Sequence, residues 1–311
     1  MHGFIALDKP LGMSSAQAVD KVKKQLRRIK KDFKIGHAGT LDPLASGVLV
    51  LAVGEATKLV NYAQDAPKEY LFTASWGEER DTDDGEGVAV ATSEKRPTHE
   101  DIDAILPQFI GDIQQTPPAY SAIKMGGKRA YAMARAGEAP EMAARGVRVE
   151  QLVISASCMV HGTESDTLPS TLHQALCTTT FLCACGKGTY IRSLARDMGR
   201  VLGVYAYVSM LRRTKVGKFT ENNAISLEKL EELVHKGDLG FIEPPQAVLD
   251  DILAYHLNGD EALTLKRGQS LNKPASLASE RLVACVFGDK LVALAMTDAR
   301  FIKPERVFNI I

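Results

Sequence analysis

Residues 36–58 read GHAGTLDPLASGVLVLAVGEATK, and they decide how the chain is interpreted. The run Val48–Val53 is apolar at every position, which predicts a strand that is buried on both faces. Asp42 stands just ahead of it and is followed by Pro43, which biases the residue before it away from the helical region. The simplest interpretation of Asp42 is therefore a turn residue. A carboxylate beside a strand this apolar also raises a second hypothesis, that the turn presents Asp42 for chemistry.

The composition is that of an ordinary globular protein. The chain has 311 residues, 45% hydrophobic and 24% charged, which suits one large domain or one with a small companion. Its 38 basic and 38 acidic residues balance, so a polyanionic partner would have to bind a local basic patch. The start lacks a secretion-signal pattern, and the longest apolar run is far shorter than the roughly 18 residues of a membrane helix. We therefore expect a cytoplasmic protein that does not enter a membrane.

The sequence predicts neither a metal site nor a nucleotide cofactor. The five cysteines, without a CxxC motif, indicate reduced thiols, and Cys183 and Cys185 are interpreted as small buried hydrophobes on one face of a strand. A calcium loop that opened at Asp81 would need glycine at its sixth position, where Glu86 stands. The run GKGTYI has Ile191 at the third glycine position of a dinucleotide-binding fingerprint.

Hydrophobic periodicity predicts two amphipathic helices. Ser15–Lys31 places its apolar residues on one stripe and its many basic residues elsewhere. Tyr190–Leu202 shows the same periodicity, and Arg192 lies in its first turn, one position beyond a buried residue. Arg192 is therefore expected to be free to point at an acidic group near the end of a strand.

Three further segments bear on the organisation of the chain. Residues 208–219, VSMLRRTKVGKF, predict an exposed basic strand. After Pro244 and Pro245 the composition shifts to short strands and turns, which predicts a domain boundary followed by a small all-β unit, 245–311. His161–Leu176 is rich in Ser, Thr, Asp and Pro, so it is interpreted as a surface insertion with no catalytic part.

Seven blocks of sequence occur in the order and approximate spacing of one protein family. They are LDKPLGMSS, GHAGTLDPLASGVL, KEY, GEERDTDDGEG, PPAYSAIKMGGKRAYAMARAGE, GKGTYIRSLARDMG and LRRTKVGKF. On these residues, from Gly3 to about Asp250, the chain resembles the bacterial-type TruB family of tRNA pseudouridine synthases. The resemblance implies an α+β pseudouridine-synthase fold, a mixed and mainly antiparallel sheet flanked by helices. Residues 1–244 would form the catalytic domain, with a thumb-like RNA-binding segment at about 123–147, and 245–311 resembles, more weakly, a small PUA-like domain.

The resemblance implies an enzyme that isomerises uridine 55 in the T loop of tRNA to pseudouridine. The reaction breaks the bond from N1 to C1′, rotates the uracil and rejoins it through C5, so it requires no redox cofactor and no metal. Asp42 matches the family's essential carboxylate, either a nucleophile at C1′ or a base that abstracts a 2′ proton. Arg192 matches the arginine that pairs with this carboxylate and favours its charged form. Tyr70 matches the tyrosine that stacks on the flipped uracil and acts as acid or base for the C5 proton.

Other positions match residues that bind the substrate or support the site. Asp84 falls where the family has a second acidic residue that steadies the arginine, with a solvated turn residue as the alternative. Leu211 matches a residue that lines the pocket, with plain core packing as the alternative. The remaining matches are Tyr190 in the pocket, His37 near the flipped base or simply in a loop, Lys9 and Pro10 beneath the active site, and Lys124, Lys128 and Arg129 on RNA phosphates.

Two alternatives of other functional classes stay open. A non-catalytic RNA-binding protein or tRNA-folding chaperone would be indicated by the loss of Asp42, Tyr70 or Arg192, and all three are present. The catalytic subunit of a guide-RNA complex would carry a longer N-terminal extension and a different sequence after Pro43, where LASG follows here. We therefore expect a stand-alone, monomeric enzyme whose partner is tRNA, with no protein partner.

Overall fold

The computed structural model describes residues 1–138, 142–159 and 176–310. Its strands are β1 (Gly3–Lys9), β2 (Ile35–His37), β3 (Ala45–Val53), β4 (Lys68–Trp76), β5 (Glu78–Arg80), β6 (Ala89–Thr92), β7 (Gly111–Gln115), β8 (Lys124–Met125), β9 (Lys128–Arg129), β10 (Arg145–Met159), β11 (Leu176–Cys185), β12 (Ala206–Val216), β13 (Phe219–Thr220), β14 (Leu253–His256), β15 (Leu271–Asn272), β16 (Leu282–Phe287), β17 (Lys290–Thr297) and β18 (Phe301–Val307). Its α-helices are α1 (Ser15–Leu26), α2 (Val60–Asp65), α3 (His99–Ile105), α4 (Ala130–Arg135), α5 (Ile191–Leu202), α6 (Leu227–His235) and α7 (Gly259–Lys266). Within these residues, none of the helices has the length and apolar character of a membrane span.

A nine-stranded sheet forms the main body, with the strand order β1-β3-β12-β4-β11-β10-β7 and with β2 and β13 paired to β3 and β12. Neighbouring strands are antiparallel except for β3 and β12, which run parallel. This mixed, mainly antiparallel sheet with helices packed against it confirms the α+β fold that the family resemblance implies. The predicted insertion lies outside the described residues, apart from Leu176, the first residue of β11.

The apolar run in β3 is buried on both faces, as predicted. Alternate residues point to opposite sides of a sheet. Val48 and Val50 accordingly pack in one cluster with residues of the C-terminal unit, whereas Leu49 and Leu51 pack in another with α1 and α6. A strand that is covered on both faces is stabilised by apolar residues at every position, because each of them is buried.

Helix α1 begins where the sequence predicts and ends earlier. The Ser14 hydroxyl accepts a hydrogen bond from Gln17 N, and the Gln17 side-chain oxygen accepts one from Ser14 N, which satisfies free N–H groups at the start of the helix. The helix was predicted to continue to Lys31 but ends at Leu26, the last buried residue of its apolar stripe. Beyond it the chain is densely basic, and without an apolar face to bury, further turns gain little from packing.

Two groups of helices cover the main sheet and meet over its middle strands. Helices α3 and α5 pack in a cluster with β4, β11 and β12, and helices α1 and α6 pack in a second cluster with β1 and β3. Tyr70 of β4 and Leu211 of β12 pack against both clusters. These two side chains therefore mark the seam between the groups.

The C-terminal part of the chain forms a five-stranded sheet in the order β14-β16-β17-β18-β15. Ala284, Leu291 and Phe308 of this unit share an apolar cluster with Phe4 and Val48 of the main sheet. The unit was predicted to contain strands alone, but it also carries α7, whose first turn is capped by Asn258. The sequence does not predict this helix, because its apolar stripe is short. The boundary at Pro244 and Pro245 stays a prediction.

Candidate active site

A cavity of about 560 Å³ opens beside β4 and β12 at the N-terminal end of α5. Five of the predicted site residues line it, namely Asp42, Tyr70, Tyr190, Arg192 and Leu211. They come from segments that are far apart in the sequence: the loop before β3, two strands of the sheet and the first residues at α5. The fold therefore brings the predicted catalytic and pocket residues together.

Backbone hydrogen bonds fix the loop that carries Asp42. The Asp42 carbonyl accepts a bond from Ala45 N at 3.0 Å, which closes a turn leading into β3. The Ser15 hydroxyl lies 2.8 Å from both the N and the O of Leu41, the residue before Asp42. Gly12 N donates to the Pro43 carbonyl at 2.8 Å. Asp42 is thus a turn residue, as the simplest interpretation has it, and the same turn leaves its side chain 38% exposed in the cavity wall.

Arg192 joins three separate segments around Asp42. Its Nη2 atom lies 2.9 Å from Oδ2 of Asp42 and donates to the Tyr120 carbonyl at 3.0 Å. Its Nη1 atom lies 3.3 Å from Oδ2 of Asp84 and donates to the Thr82 carbonyl at 2.8 Å. The arginine side chain is only 6% exposed, so its orientation is set by these partners. Asp84 is itself buried, so it is not the solvated turn residue of the alternative interpretation.

The start of α5 is held by a glutamine from the end of β7. Tyr190 is the residue before the helix, and no side chain caps the first turn. Instead, the side-chain amide of Gln115 accepts a bond from Tyr190 N at 2.8 Å and donates to Tyr190 O at 3.0 Å. The Arg145 guanidinium lies 5.0 Å from the centre of the Tyr190 ring, a cation–π contact that fixes the ring at the cavity wall.

Tyr70 is a neutral phenol at neutral pH. Burial raises the pKa of Tyr70 above its ordinary value, and the Arg213 guanidinium only partly opposes that rise. A neutral phenol donates a hydrogen bond or a proton, and it offers an aromatic face to a base. Both properties suit the role that the sequence resemblance implies for this residue.

The sequence misses Arg213, whose strand was predicted to be exposed. That prediction is wrong for β12, which is central in the sheet, and Arg213 is 2% exposed. Its guanidinium donates to the carbonyls of Val48 at 2.8 Å, Gly39 at 3.2 Å and Thr40 at 3.3 Å. Arg213 therefore ties the loop before Asp42 to the sheet and also lines the cavity. An arginine in a short basic run is typical of a solvent-exposed strand, so periodicity alone gave no signal.

Lys9 supports the loop beneath Asp42 from outside the cavity wall. It is fully buried at the end of β1, where its ammonium group donates to the carbonyls of Pro10 at 2.9 Å and Met13 at 2.6 Å. Burial lowers the pKa of Lys9 to about 8, although the charge of Asp42 opposes the change. Since Gly12 in this loop bonds to Pro43, the contacts of Lys9 reach the residue next to Asp42.

The other predicted residues lie around the cavity. His37 ends β2 and is half-buried, and Pro10 is exposed; neither belongs to the cavity wall. Leu211 lines the cavity and also packs against the core, and its part in binding the substrate stays a prediction. Lys124 and Arg129 pair in the short hairpin β8–β9, in which Lys128 is exposed and lies 3.6 Å from Glu138.

The cavity has an excess of positive charge, although the chain as a whole is neutral. Its wall contains two carboxylates, those of Asp42 and Asp65. It also contains five basic side chains, namely Lys68, Arg145, Lys187, Arg192 and Arg213. A local excess of cations attracts a polyanion in spite of a net charge of zero. The prediction that any such binding would depend on a local patch agrees with this arrangement.

Family models match most of the chain. Residues 24–191 match the model described as "TruB family pseudouridylate synthase (N terminal domain)", and residues 192–254 match the "tRNA pseudouridylate synthase B C-terminal domain". Among curated proteins, the tRNA pseudouridine synthase B of Bradyrhizobium diazoefficiens is 46% identical over 319 residues, which cover 100% of this chain and 86% of that protein. The protein of the same name from Caulobacter sp. is 41% identical, and the match covers 100% of this chain and 97% of that protein.

Solved structures give the same fold. A chain in the crystal structure of a Cbf5-Nop10-Gar1 complex has a TM-score of 0.69 and 26% identity, over 98% of this chain and 84% of its own. A chain in an H/ACA RNP bound to a substrate RNA that contains 2′-deoxyuridine has a TM-score of 0.68 and 26% identity. The family models match residues 24–254, and the relatives match this chain over most of their own length. These matches agree with the seven ordered sequence blocks and with the sheet and cavity described above. The chain belongs to the TruB family of pseudouridylate synthases.

Proposed function

We propose that this protein isomerises uridine 55 in the T loop of tRNA to pseudouridine. The observation that carries the proposal is the pairing of Asp42 with Arg192 at 2.9 Å in the wall of a basic cavity that also holds Tyr70. One half-exposed carboxylate, one buried arginine and one neutral phenol are a complete set of groups for glycosidic bond cleavage without an external cofactor. The proposal is further supported by the names of relatives that are 40–46% identical.

Asp42 acts in its ionised form. Either its carboxylate attacks C1′ as N1 leaves, or it removes a proton from C2′ to give a glycal as the same bond breaks. Both routes demand a negative charge, and the guanidinium of Arg192 lies beside the carboxylate as its counterion. The freed uracil turns and bonds through C5 to C1′, which displaces the Asp42 carboxylate from C1′ on the first route or returns the proton to C2′ on the second. The proton on C5 is then lost, and N1 takes up a proton. Tyr70 is placed to take part in that last transfer, directly or through a water molecule.

The cavity receives a base that has left its stack. Extrusion of the uridine costs a few kcal/mol, which contacts inside the pocket must offset. Tyr70 offers an aromatic face and Leu211 an apolar surface, both in the cavity wall. The five basic side chains around them suit the phosphates on either side of the flipped nucleotide.

The RNA outside the cavity is held by the thumb-like segment. Ser121 and Ala122, which precede this segment, line the cavity, and the hairpin β8–β9 follows closely, with an exposed Lys128. We propose that this hairpin contacts phosphates of the T arm. We also propose that the protein works in the cytoplasm as a monomer, without a guide RNA or a protein partner. The guide-RNA alternative is less favoured because the curated relatives named tRNA pseudouridine synthase B are 40–46% identical to this chain.

A single assay separates the proposed function from its alternatives. The purified protein is incubated with an unmodified tRNA transcript labelled with tritium at C5 of uridine, and release of the label is counted. We expect release from this transcript and none from a matched transcript with cytidine at position 55. Release that needs an added guide RNA would favour the guide-dependent enzyme. Faster folding of the transcript without release of label would favour the chaperone.

A further inference from the structure

A ladder of ion pairs joins α5 to the hairpin β5–β6. Arg192, Arg196 and Arg200 are spaced four residues apart, so they share one face of the helix. Their nitrogen atoms lie 3.3 Å from Asp84, 2.8 Å from Asp83 and 2.6 Å from Glu79, respectively. The arginine side chains are 6%, 8% and 52% exposed in the same order. Two of the three pairs are therefore buried, and only the first contains a predicted site residue.

The ion pair of Arg196 and Asp83 holds the two segments that supply partners to Arg192. Arg196 Nη1 binds Oδ2 of Asp83 at 2.8 Å, and its Nη2 donates to the Thr116 carbonyl at 2.8 Å. Asp83 stands between Thr82 and Asp84, which are both partners of Arg192. Thr116 begins the loop that leads to Tyr120, a further partner of Arg192. Arg196 therefore fixes the two loops from which Arg192 draws every partner except Asp42.

The backbone at Asp83 is suited to this arrangement. Its φ is +60°, a left-handed conformation that is unfavourable for most residues with a side chain. Its carbonyl accepts a bond from Val208 N at 3.1 Å, so the tip of the hairpin is pinned to β12. In this conformation the adjacent carboxylates of Asp83 and Asp84 reach two successive arginines of α5.

Asp83 is ionised at neutral pH, so the second pair is intact there. Burial raises the pKa of Asp83 to about 6, against the lowering effect of Arg196 and Arg192. The other charged groups that face it are Glu79 on its own hairpin, which raises the pKa, and Arg200 on α5, which lowers it. Removal of one partner from a buried pair leaves the other charge uncompensated, so the loops around Arg192 would have to rearrange.

We propose that Asp83 and Arg196 are positioning residues for the isomerisation: their ion pair fixes the loops that orient Arg192, and through Arg192 it fixes Asp42. This inference rests on the proposed function. Neither residue lines the cavity, so they act on the rate of the chemical step and not on tRNA binding. A displacement of a reacting group by about 1 Å can lower a rate about a hundredfold.

The test compares two neutralised carboxylates of the same ladder. Asp83→Asn should lower kcat by about ten- to a hundredfold and leave KM and tRNA affinity within about threefold. The matched control is Glu79→Gln, which breaks the outermost pair, where the half-exposed Arg200 regains water. Its kcat should stay within about threefold of wild type. Thermal unfolding of both variants separates lost turnover from lost stability.

A double-mutant cycle tests whether the effect passes through Arg192. Asp84→Asn removes one anchor of Arg192 directly, so Asp83→Asn should add far less in that background than it does alone. Arg196→Lys keeps a charge for Asp83 but lacks the fork that also reaches Thr116, and it should lower kcat by at least about fivefold. This variant still tests the inference if Asp83→Asn does not fold.

Three results would overturn the inference. They are a kcat for folded Asp83→Asn within about threefold of wild type, full additivity in the cycle, and wild-type turnover by Arg196→Lys. The proposed function is judged separately, by the turnover of the wild-type protein in the same assay. An active wild type with an unaffected Asp83→Asn would reject the inference and keep the function.

Discussion

Arg192 Nη2 lies 2.9 Å from Oδ2 of Asp42, although the two residues are far apart in the sequence. Arg192 is almost fully buried, and Asp42 is partly open to the cavity. The guanidinium is therefore held by protein groups on one side, while the carboxylate keeps a free side for the substrate. This asymmetry suits a reactive carboxylate, because the ion pair orients Asp42 while part of its side chain stays open to the cavity.

Arg192→Lys should lower turnover and leave tRNA affinity near that of wild type. Lysine keeps the positive charge, but it cannot bind Asp42, Asp84 and two carbonyls at once, so the carboxylate loses its fixed orientation. We expect a kcat between those of wild type and Arg192→Met, measured by tritium release alongside filter binding. Equal turnover by the lysine variant and wild type would show that charge alone suffices.

Changing Lys128 and Arg129 together to Ala should weaken tRNA binding. The double variant should also flatten its salt dependence, because fewer counterions are released when fewer phosphates are neutralised. Lys236→Ala is the control, since that surface lysine pairs with Glu232 on α6. Affinities at several salt concentrations give the slopes. An unchanged slope for the double variant would argue against phosphate contacts in the hairpin β8–β9.

Gly47→Ala should destabilise the protein and disturb the cavity. Gly47 has a φ of +98°, and a Cβ there would lie 2.3 Å from the carbonyl oxygen of Arg213. The added strain and clash should lower the free energy of unfolding by about 3 kcal/mol, measured by urea denaturation. Gly36→Ala is the matched control, because its φ is not positive and, apart from its chain neighbours, no described residue has an atom within 4 Å of the added carbon. Equal stability of the two variants would contradict this reasoning.

His161–Leu176 should be dispensable for turnover. Strands β10 and β11 pair as far as Met159 opposite Leu176, so the last paired residues of the two strands lie side by side. Replacing the segment with a Gly–Asn turn should leave kcat within about tenfold of wild type, a barrier change near 1.4 kcal/mol. A loss of about a thousandfold in a folded variant would show that the segment has a part in the reaction.

The sequence predicted those features that depend on local pattern or on long matched motifs. Burial of Val48–Val53 followed from apolar residues at every position, and the meeting of Asp42 with Arg192 was implied by the family resemblance. Local periodicity could not have placed these two residues together, because it carries no information about contacts between distant segments.

The sequence did not predict the buried charged side chains or the residue at which helix α1 ends. Arg213 was placed on an exposed strand because charged side chains are rarely buried without partners, and its partners are backbone carbonyls that have no sequence signature. The pair of Asp83 and Arg196 was missed for the same reason: each residue alone is typical of a turn or of a solvated helix face. Helix α1 stops at Leu26 because tertiary packing, and not its basic continuation, stabilises it.

The most direct test of the account is the turnover of Asp42→Asn on a C5-tritiated tRNA transcript, measured together with its tRNA affinity. Asparagine keeps the size and hydrogen-bonding capacity of the side chain but is neither a nucleophile nor a base. Binding depends on phosphates, loop shape and base stacking, so affinity should stay near wild type while release of the label is lost. If Asp42→Asn releases label within about tenfold of the wild-type rate, then Asp42 is only a turn residue and the account is wrong.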